Sequence, residues 1–429
     1  MRPANTWPVK RLKFVARVQT GIAKGKDHAD ADTVEVPYLR VANVQDGYLD
    51  LSEVATMEVS PADLGRYLLR VGDVLMNEGG DFDKLGRGHV WHGQIDPCVH
   101  QNHVFAVRPH GVLPEWLNAW TGAAPAQFFF MGRSKQSTNL ASISSTNLME
   151  LPVPVPTVEE QRVMLRYLGR ETARIDSLIE KKTRFIELLR EKRKALITKA
   201  VTQGLHPSVP MKGSGVAYLG KVPSHWEVRP LKLLVDPGSS VTYGIVQPGD
   251  DLAGGVPFVQ TTNMSSGNFE IDRLQKTAPE IAAGYPRSCL VGGEVILGIR
   301  ATIGAAYIVP TFLRGANISR GVARISCASL LDPEFLVQFL RSGAATDYWG
   351  LSKQGSTFNE VSIETVRELR VPIAPKVEQA EIHAHCTAEC ARIDGLVAAT
   401  LRSADLLKER RSALITAAVT GQIDLSEAA

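Results

Sequence analysis

Two polar stretches of this chain combine residue types suited to reading nucleic acid. Gly132-Arg133-Ser134-Lys135-Gln136-Ser137-Thr138-Asn139 and Ser352-Lys353-Gln354-Gly355-Ser356-Thr357-Phe358-Asn359 each set cations beside amides and hydroxyls. Arg133, Lys135 and Lys353 can neutralise phosphates, whereas Gln136, Ser137, Thr138, Asn139, Gln354, Ser356, Thr357 and Asn359 can pair with base edges. The plain alternative is a polar turn with no ligand. Recurrence at an offset of 218 residues, Lys135-Gln136 against Lys353-Gln354, moves the reading towards function.

Other chemistry is harder to assemble. A nucleotide-driven motor needs a Gly-x4-Gly-Lys-Ser/Thr phosphate cradle, and the sequence has none. It has no adjacent prolines, so an Asn-Pro-Pro-aromatic motif of the amino-methyltransferase type is missing, as is Gly-x-Ser-x-Gly. His383, Cys386 and Cys390 stand at i, i+3 and i+7 and could in principle hold zinc, but their counterparts at the offset are Leu165, Leu168 and Thr172. A packed helix face is the better reading. His89, His92, Cys98, His100 and His103 form a looser cluster in a strand-rich segment, where polar side chains could meet DNA or simply face water. The chain is read as a non-enzyme without a metal site. Eight cations from Lys181 to Lys199 face only Glu187 and Glu191, a solvated helix face or a contact surface.

The elements that must position the polar stretches follow from an internal repeat. Leu151–Leu205 aligns without gaps on Leu369–Ile423, with 23 identities in 55 positions. Each copy opens on a proline-bearing stretch, Val153-Pro154-Val155-Pro156 or Val371-Pro372-Ile373, then runs about 45 residues without proline. Ile175, Ile179, Ile186, Leu189, Leu196 and Ala200 follow 4-3 spacing, matched by Ile393, Val397, Ala404, Leu407, Leu414 and Ala418. Such a seam predicts two long coiled-coil helices, antiparallel if the intervening domain carries the chain back.

The remaining segments are rich in Gly, Val, Thr and aromatic residues and read as strand-rich domains. They correspond weakly: Trp7-Pro8-Val9-Lys10 with Trp226-Glu227-Val228-Arg229, Val36-Pro37-Tyr38-Leu39 with Val256-Pro257-Phe258-Val259, and Val71-Gly72-Asp73-Val74-Leu75 with Gly292-Gly293-Glu294-Val295-Ile296. The expected class is α+β with a pseudo-twofold repeat. Its parts are strand-rich domains at 1–150 and 216–368, helical spacers at 151–205 and 369–425, and a Gly- and Pro-bearing linker at 206–215.

A formal charge of +3 over 429 residues is too small to mark a nucleic-acid binder by bulk charge, so any phosphate-binding surface must be local. No apolar run approaches the ~18 residues of a membrane span, and the first residues lack the apolar run of a secretory signal. Five irregularly spaced cysteines suggest reduced thiols and a cytoplasmic setting.

Assembled, these residues resemble the specificity subunits of Type I restriction-modification systems, over nearly the whole chain. The resemblance is carried by Tyr218-Leu219-Gly220-Lys221-Val222-Pro223-Ser224-His225-Trp226, by Glu160-Gln161 at the helix entrance, and by Arg174-Ile175-Asp176 followed by Lys194-Ala195-Leu196-Ile197-Thr198. Glu378-Gln379 and Arg392-Ile393-Asp394 repeat part of it, whereas the first half starts at Trp7 without a Leu-Gly-x-x-Pro lead-in. The resemblance implies two target recognition domains, each reading half of a split site in double-stranded DNA. It also implies helices that dock two modification subunits, with Arg174, Asp176, Lys192, Arg193, Arg392, Asp394, Arg410 and Arg411 as candidate contacts. S-adenosylmethionine, ATP and Mg would belong to modification and restriction partners, none to this chain. A coiled-coil scaffold without DNA contact and a fused methyltransferase or nuclease are the rival readings.

Overall fold

The computed structural model describes residues 7–23, 32–82, 85–136, 141–352 and 360–424. The two proline-free segments are single helices, Val158–Gln203 and Lys376–Val419. The chain divides into two compact units, residues 1–183 with 401–429, and 184–400. Each unit therefore contains one strand-rich portion, part of one long helix and part of the other.

In the first unit Ala16–Thr20, Val104–Pro109, Val74–Asn77 and Gly88–Val90 form an antiparallel sheet in that order. A second sheet orders Ala55–Val59, Val34–Leu39 and Val99–His100, the last pair parallel. The second unit repeats both: Thr242–Tyr243, Val322–Ile325, Val295–Gly298 and Ala306–Ile308, then Lys276–Thr277, Val256–Val259 and Asn317–Ile318. The weak correspondences in sequence are sister strands. Leu12, Trp116, Phe130, Met164 and Val419 share the core of the first unit, and Trp226, Phe335, Ile197, Ile382 and Cys386 that of the second. The N-terminal part of one helix and the C-terminal part of the other line each core, so within a unit the two run antiparallel.

The repeated motifs of the helices turn out to be joints. Gln161 is fully buried; its carbonyl accepts from Leu113 N at 2.8 Å and its amide donates to Pro156 O at 2.9 Å. Gln379 does the same with Asp332 N at 2.8 Å and Ala374 O at 2.7 Å. Thr416 Oγ1 accepts from Ala124 N at 3.1 Å, and Thr198 Oγ1 from Gly343 N at 2.7 Å, each meeting the start of a helix in the strand-rich portion. The Gly-acid-Val motif is also a joint: Arg108 grips the buried Asp73 at 2.7 and 2.6 Å, and Arg324 meets Glu294 at 3.2 Å. Gln161→Leu should leave the part-buried Leu113 N–H and the buried Pro156 C=O without their partner, a cost of about 2–4 kcal/mol, below the full penalty of about 1–3 kcal/mol for each of two wholly buried groups. Thermal unfolding checks this; an unchanged midpoint would show that Gln161 is not a joint.

Composition reads 206–215 as a linker, yet Met211–Gly213 pairs with Lys221–Pro223 as a hairpin. The turn between these strands is held because Leu219 is buried and Val216 and Tyr218 pack on the second unit's core. No described helix is long and apolar enough to cross a membrane.

Candidate nucleic-acid interface

A strap of three chain segments recurs at the same strand ends in both units. After the parallel strands, Gln101 N donates to Leu39 O and Ser319 N to Val259 O, each at 2.8 Å. Gly21-Ile22 and Gly244-Ile245 run alongside: Ile22 N reaches His100 O and Ile245 N reaches Ile318 O, again at 2.8 Å. A Cβ on Gly21 would stand 2.0 Å from His100 O, and one on Gly244 1.7 Å from Ile318 O, so only glycine lets these backbones meet. The straps end by presenting Asn102 and Arg320 at equivalent places, with Asn102 N on Ile22 O at 3.0 Å and Arg320 N on Ile245 O at 2.8 Å.

The described part of the first polar stretch, and the residues that follow the second, lie against neighbouring backbone. Lys135–Gln136 pairs with Ala141–Ser142, which pairs with Gly79–Gly80, and Ile143 N donates to Glu78 O at 2.9 Å. In the second unit Glu360 bridges Arg300, and Val361 N donates to Ile299 O at 2.8 Å. Lys135 and Gln136 are exposed. Ser137, Thr138, Asn139, Lys353, Gln354, Ser356, Thr357 and Asn359 lie outside the described residues. Arg133 is also exposed, its guanidinium 5.2 Å from the Phe129 ring centre.

Residues that sequence reasoning did not single out complete the sites. Arg300 and Arg320 converge on Glu360 at 3.1 and 3.7 Å, two partly exposed guanidiniums sharing one carboxylate and so leaving a net positive charge. Ala301, beside Arg300, has φ of 55°, a conformation a non-glycine residue adopts at a cost and one that marks a tightly determined turn. In the first unit Glu78 meets His103 Nδ1 at 2.6 Å, and Asn102 lies beside that ring. The only sequence signal for the straps is the recurring Gly-Ile pair, whose meaning depends on the strand pairing.

His89 and His92 stand edge to face with ring centres 5.8 Å apart. His100 is buried with Nδ1 2.7 Å from Val104 O, and burial drives its pKa down to about 4, so it is neutral near pH 7. Burial also pushes the Cys98 and Cys386 thiols up to about 12, the behaviour of packed side chains. Among the described residues no group of three or more His, Cys, Asp or Glu is placed to hold a metal ion.

On the helices, Arg411 meets Asp176 at 2.8 Å within the first unit and Arg193 meets Asp394 at 3.2 Å within the second, sister ion pairs between the two helices. All four side chains stay at least one-third exposed, so each pair contributes only about 0–1 kcal/mol. Arg392 lies 3.6 Å from Glu389, and Arg174, Lys192 and Arg410 are exposed.

No family model matches the chain. Curated relatives do. The MjaX type I restriction enzyme specificity subunit of Methanocaldococcus jannaschii is 23% identical over 97% of this chain and 93% of its own length. The EcoBI type I specificity subunit of Escherichia coli is 26% identical over 88% of this chain and 78% of its own length. Along nearly its whole length the chain is thus similar to type I restriction enzyme specificity subunits. Solved structures agree on the fold. A chain from a structure on complex assembly and conformational transition of the type I R-M system superposes with a TM-score of 0.72 at 16% identity, covering 99% of this chain and all of that one. The HsdS subunit of Thermoanaerobacter tengcongensis gives 0.51 at 18% identity, with 97% of each chain covered.

Proposed function

We propose that each unit of this specificity subunit reads one half of a bipartite site in double-stranded DNA, through its strap and polar stretch. The observation that carries this reading is the recurrence, in a chain similar to type I specificity subunits along its length, of one polar strand-end site in both units. The first unit offers Lys135, Gln136, Asn102 and His103, and the second Arg300 and Arg320. Different side chains on the same backbone frame are what two readers of different half-sites need, because backbone geometry sets the approach and side chains discriminate bases.

The long helices dock two methyltransferase subunits, one at each unit. Leu178 and Leu406 are exposed in the first unit, and their repeat counterparts Leu396 and Leu188 in the second. Exposed leucines at sister positions suit a partner present in two copies. S-adenosylmethionine-dependent adenine methylation, and any ATP- and Mg-dependent cleavage, are the work of the modification and restriction partners, in the cytoplasm.

The test is co-expression with the modification subunits followed by mapping of methylated bases. A split motif with an unspecified gap is expected; methylation without a motif, or none, would overturn the reading. Within that complex Lys135→Ala and Arg320→Ala should each weaken binding to all DNA sequences alike. Each should also flatten the dependence of log affinity on log salt by about one unit, as loss of one phosphate contact does. An unchanged slope in either variant would remove that side chain from the interface.

A further inference from the structure

At one place the two strand-end sites are built differently. Backbone bonds fix which residues correspond. Glu78 N donates to His103 O as Ile299 N does to Gly321 O, each at 2.9 Å; Ile143 N reaches Glu78 O at 2.9 Å as Val361 N reaches Ile299 O at 2.8 Å. Arg300 and Glu360, bridged to each other, therefore stand where the first unit pairs Gly79 with Ser142. The first unit offers a hydroxyl and no larger side chain there, whereas the second offers a cation and a carboxylate. The carboxylate of the first unit, Glu78, comes one residue earlier and holds His103, a pair whose counterparts are Ile299 and Gly321.

Backbone places the Arg300 side chain before Glu360 orients it. The turn that follows is closed by Thr302 N on Arg300 O at 2.5 Å, with Ala301 at φ of 55°. A Cβ on Gly321 would stand 3.4 Å from Arg300 Cβ and 2.4 Å from Thr261 Cγ2, so glycine leaves room for the strap between the two. Glu360 Oε2 then lies 3.1 Å from Arg300 Nη2 and 3.7 Å from Arg320 Nη2. An ion pair between side chains this exposed contributes little to stability. What it fixes is the plane of the Arg300 fork, because one amino group is engaged by the carboxylate while the other donors keep a set direction. A planar pair of donors matches O6 and N7, the two acceptors that guanine presents side by side in the major groove. Arg320, farther from the carboxylate, keeps the freedom that a phosphate contact needs.

We propose that Arg300 reads a guanine in the half-site of the second unit, with Glu360 as the positioning residue that turns its guanidinium from phosphates towards the base edge. The inference rests on the reading that each unit reads one half-site, and narrows it to one base and one side chain. Glu360 also lowers by one the positive charge that this site offers to phosphates, so DNA without the guanine is held less firmly. With Gly79 and Ser142 in these places, the first unit has no such reader.

The probes are duplexes carrying the site mapped for the co-expressed complex. In the half that survives exchange of residues 1–150, each G·C pair is replaced in turn by A·T. At one position the replacement should weaken binding about five- to 150-fold, the worth of one bidentate base contact. Arg300→Ala and Arg300→Lys should both erase that preference, and their methylation maps should show any base at that position. Arg300→Lys keeps the charge, and with it the salt dependence, but lacks the planar fork. Glu360→Gln should blunt the preference at least about fivefold. It should also steepen the dependence of log affinity on log salt by up to about one unit, as a released guanidinium turns to a phosphate. Loss of a merely structural ion pair would do neither. A split motif with no guanine in that half, or with every guanine still required by Arg300→Lys, overturns the proposal and leaves half-site reading intact. So does an even loss of affinity for all duplexes with a flattened salt slope in Arg300→Ala, the mark of a phosphate contact. A wild-type map without a split motif overturns half-site reading itself, and this proposal with it.

Discussion

On the proposed reading, replacing residues 1–150 with the corresponding portion of a type I specificity subunit is expected to change one half of the methylated target and leave the other half intact. The joints make such an exchange physically reasonable. Gln161 takes hold of the recognition portion at Leu113 N, Thr416 at Ala124 N, and the strand Pro152–Pro154 pairs with the backbone of Val9–Arg11. Backbone groups are offered by any sequence that keeps the fold, so a foreign portion finds the same attachments. The apolar contacts are more demanding. Trp116 packs edge to face on Trp7 and donates its indole N–H to Pro154 O at 2.9 Å, so the graft must bring its own large residue there. The effect on the exchanged half-site should be large, because each mismatched base pair costs about 1–3 kcal/mol and several are mismatched together. Methylated-base mapping of the co-expressed complex reads the result directly. If both halves changed, or neither did, independent reading by the two units would be wrong.

How much of this was legible without coordinates depended on what each residue has to do. The helices were readable because a 4-3 apolar seam free of proline has few other solutions, and 158–203 is helical throughout. The identities in the repeat concentrate where side chains must meet particular partners: Gln161 and Gln379 satisfy fixed backbone groups, and Asp176 and Asp394 face Arg411 and Arg193. Sister strands such as Val74–Asn77 and Val295–Gly298 need only be apolar and in register, which many residues satisfy, so their kinship was faint. The straps were not legible at all. Gly21 and Gly244 are explained only by the carbonyls they approach, and Arg300, Arg320 and Glu360 are brought together from segments up to 60 residues apart in sequence. Lys135 and Gln136 were singled out because their stretch recurs, and in the structure they pair with Ala141–Ser142, which pairs with Gly79–Gly80, an arrangement no motif announced.

The helices should also set the gap between the half-sites, and a matched insertion is expected to lengthen it. An insertion into one helix alone, for example after Lys199, would fall between Ile197 and Ala200, both buried in the second unit's core, and would break packing there. The division between the units instead crosses both helices, at Thr183/Arg184 in the first and Thr400/Leu401 in the second. Four residues inserted after Thr183 and four after Thr400 leave the joints of each unit untouched. They add about 6 Å of helix, close to two base pairs at about 3.4 Å each. The rotations match less well: four residues exceed one helical turn by about 40°, whereas two base pairs of duplex turn by about 70°. Some affinity should therefore be lost. Because neither strap nor polar stretch is altered, both half-site sequences should persist while the unspecified gap grows by one or two base pairs. A map of methylated bases that shows the old half-sites at the old spacing would mean that these helices do not measure the distance.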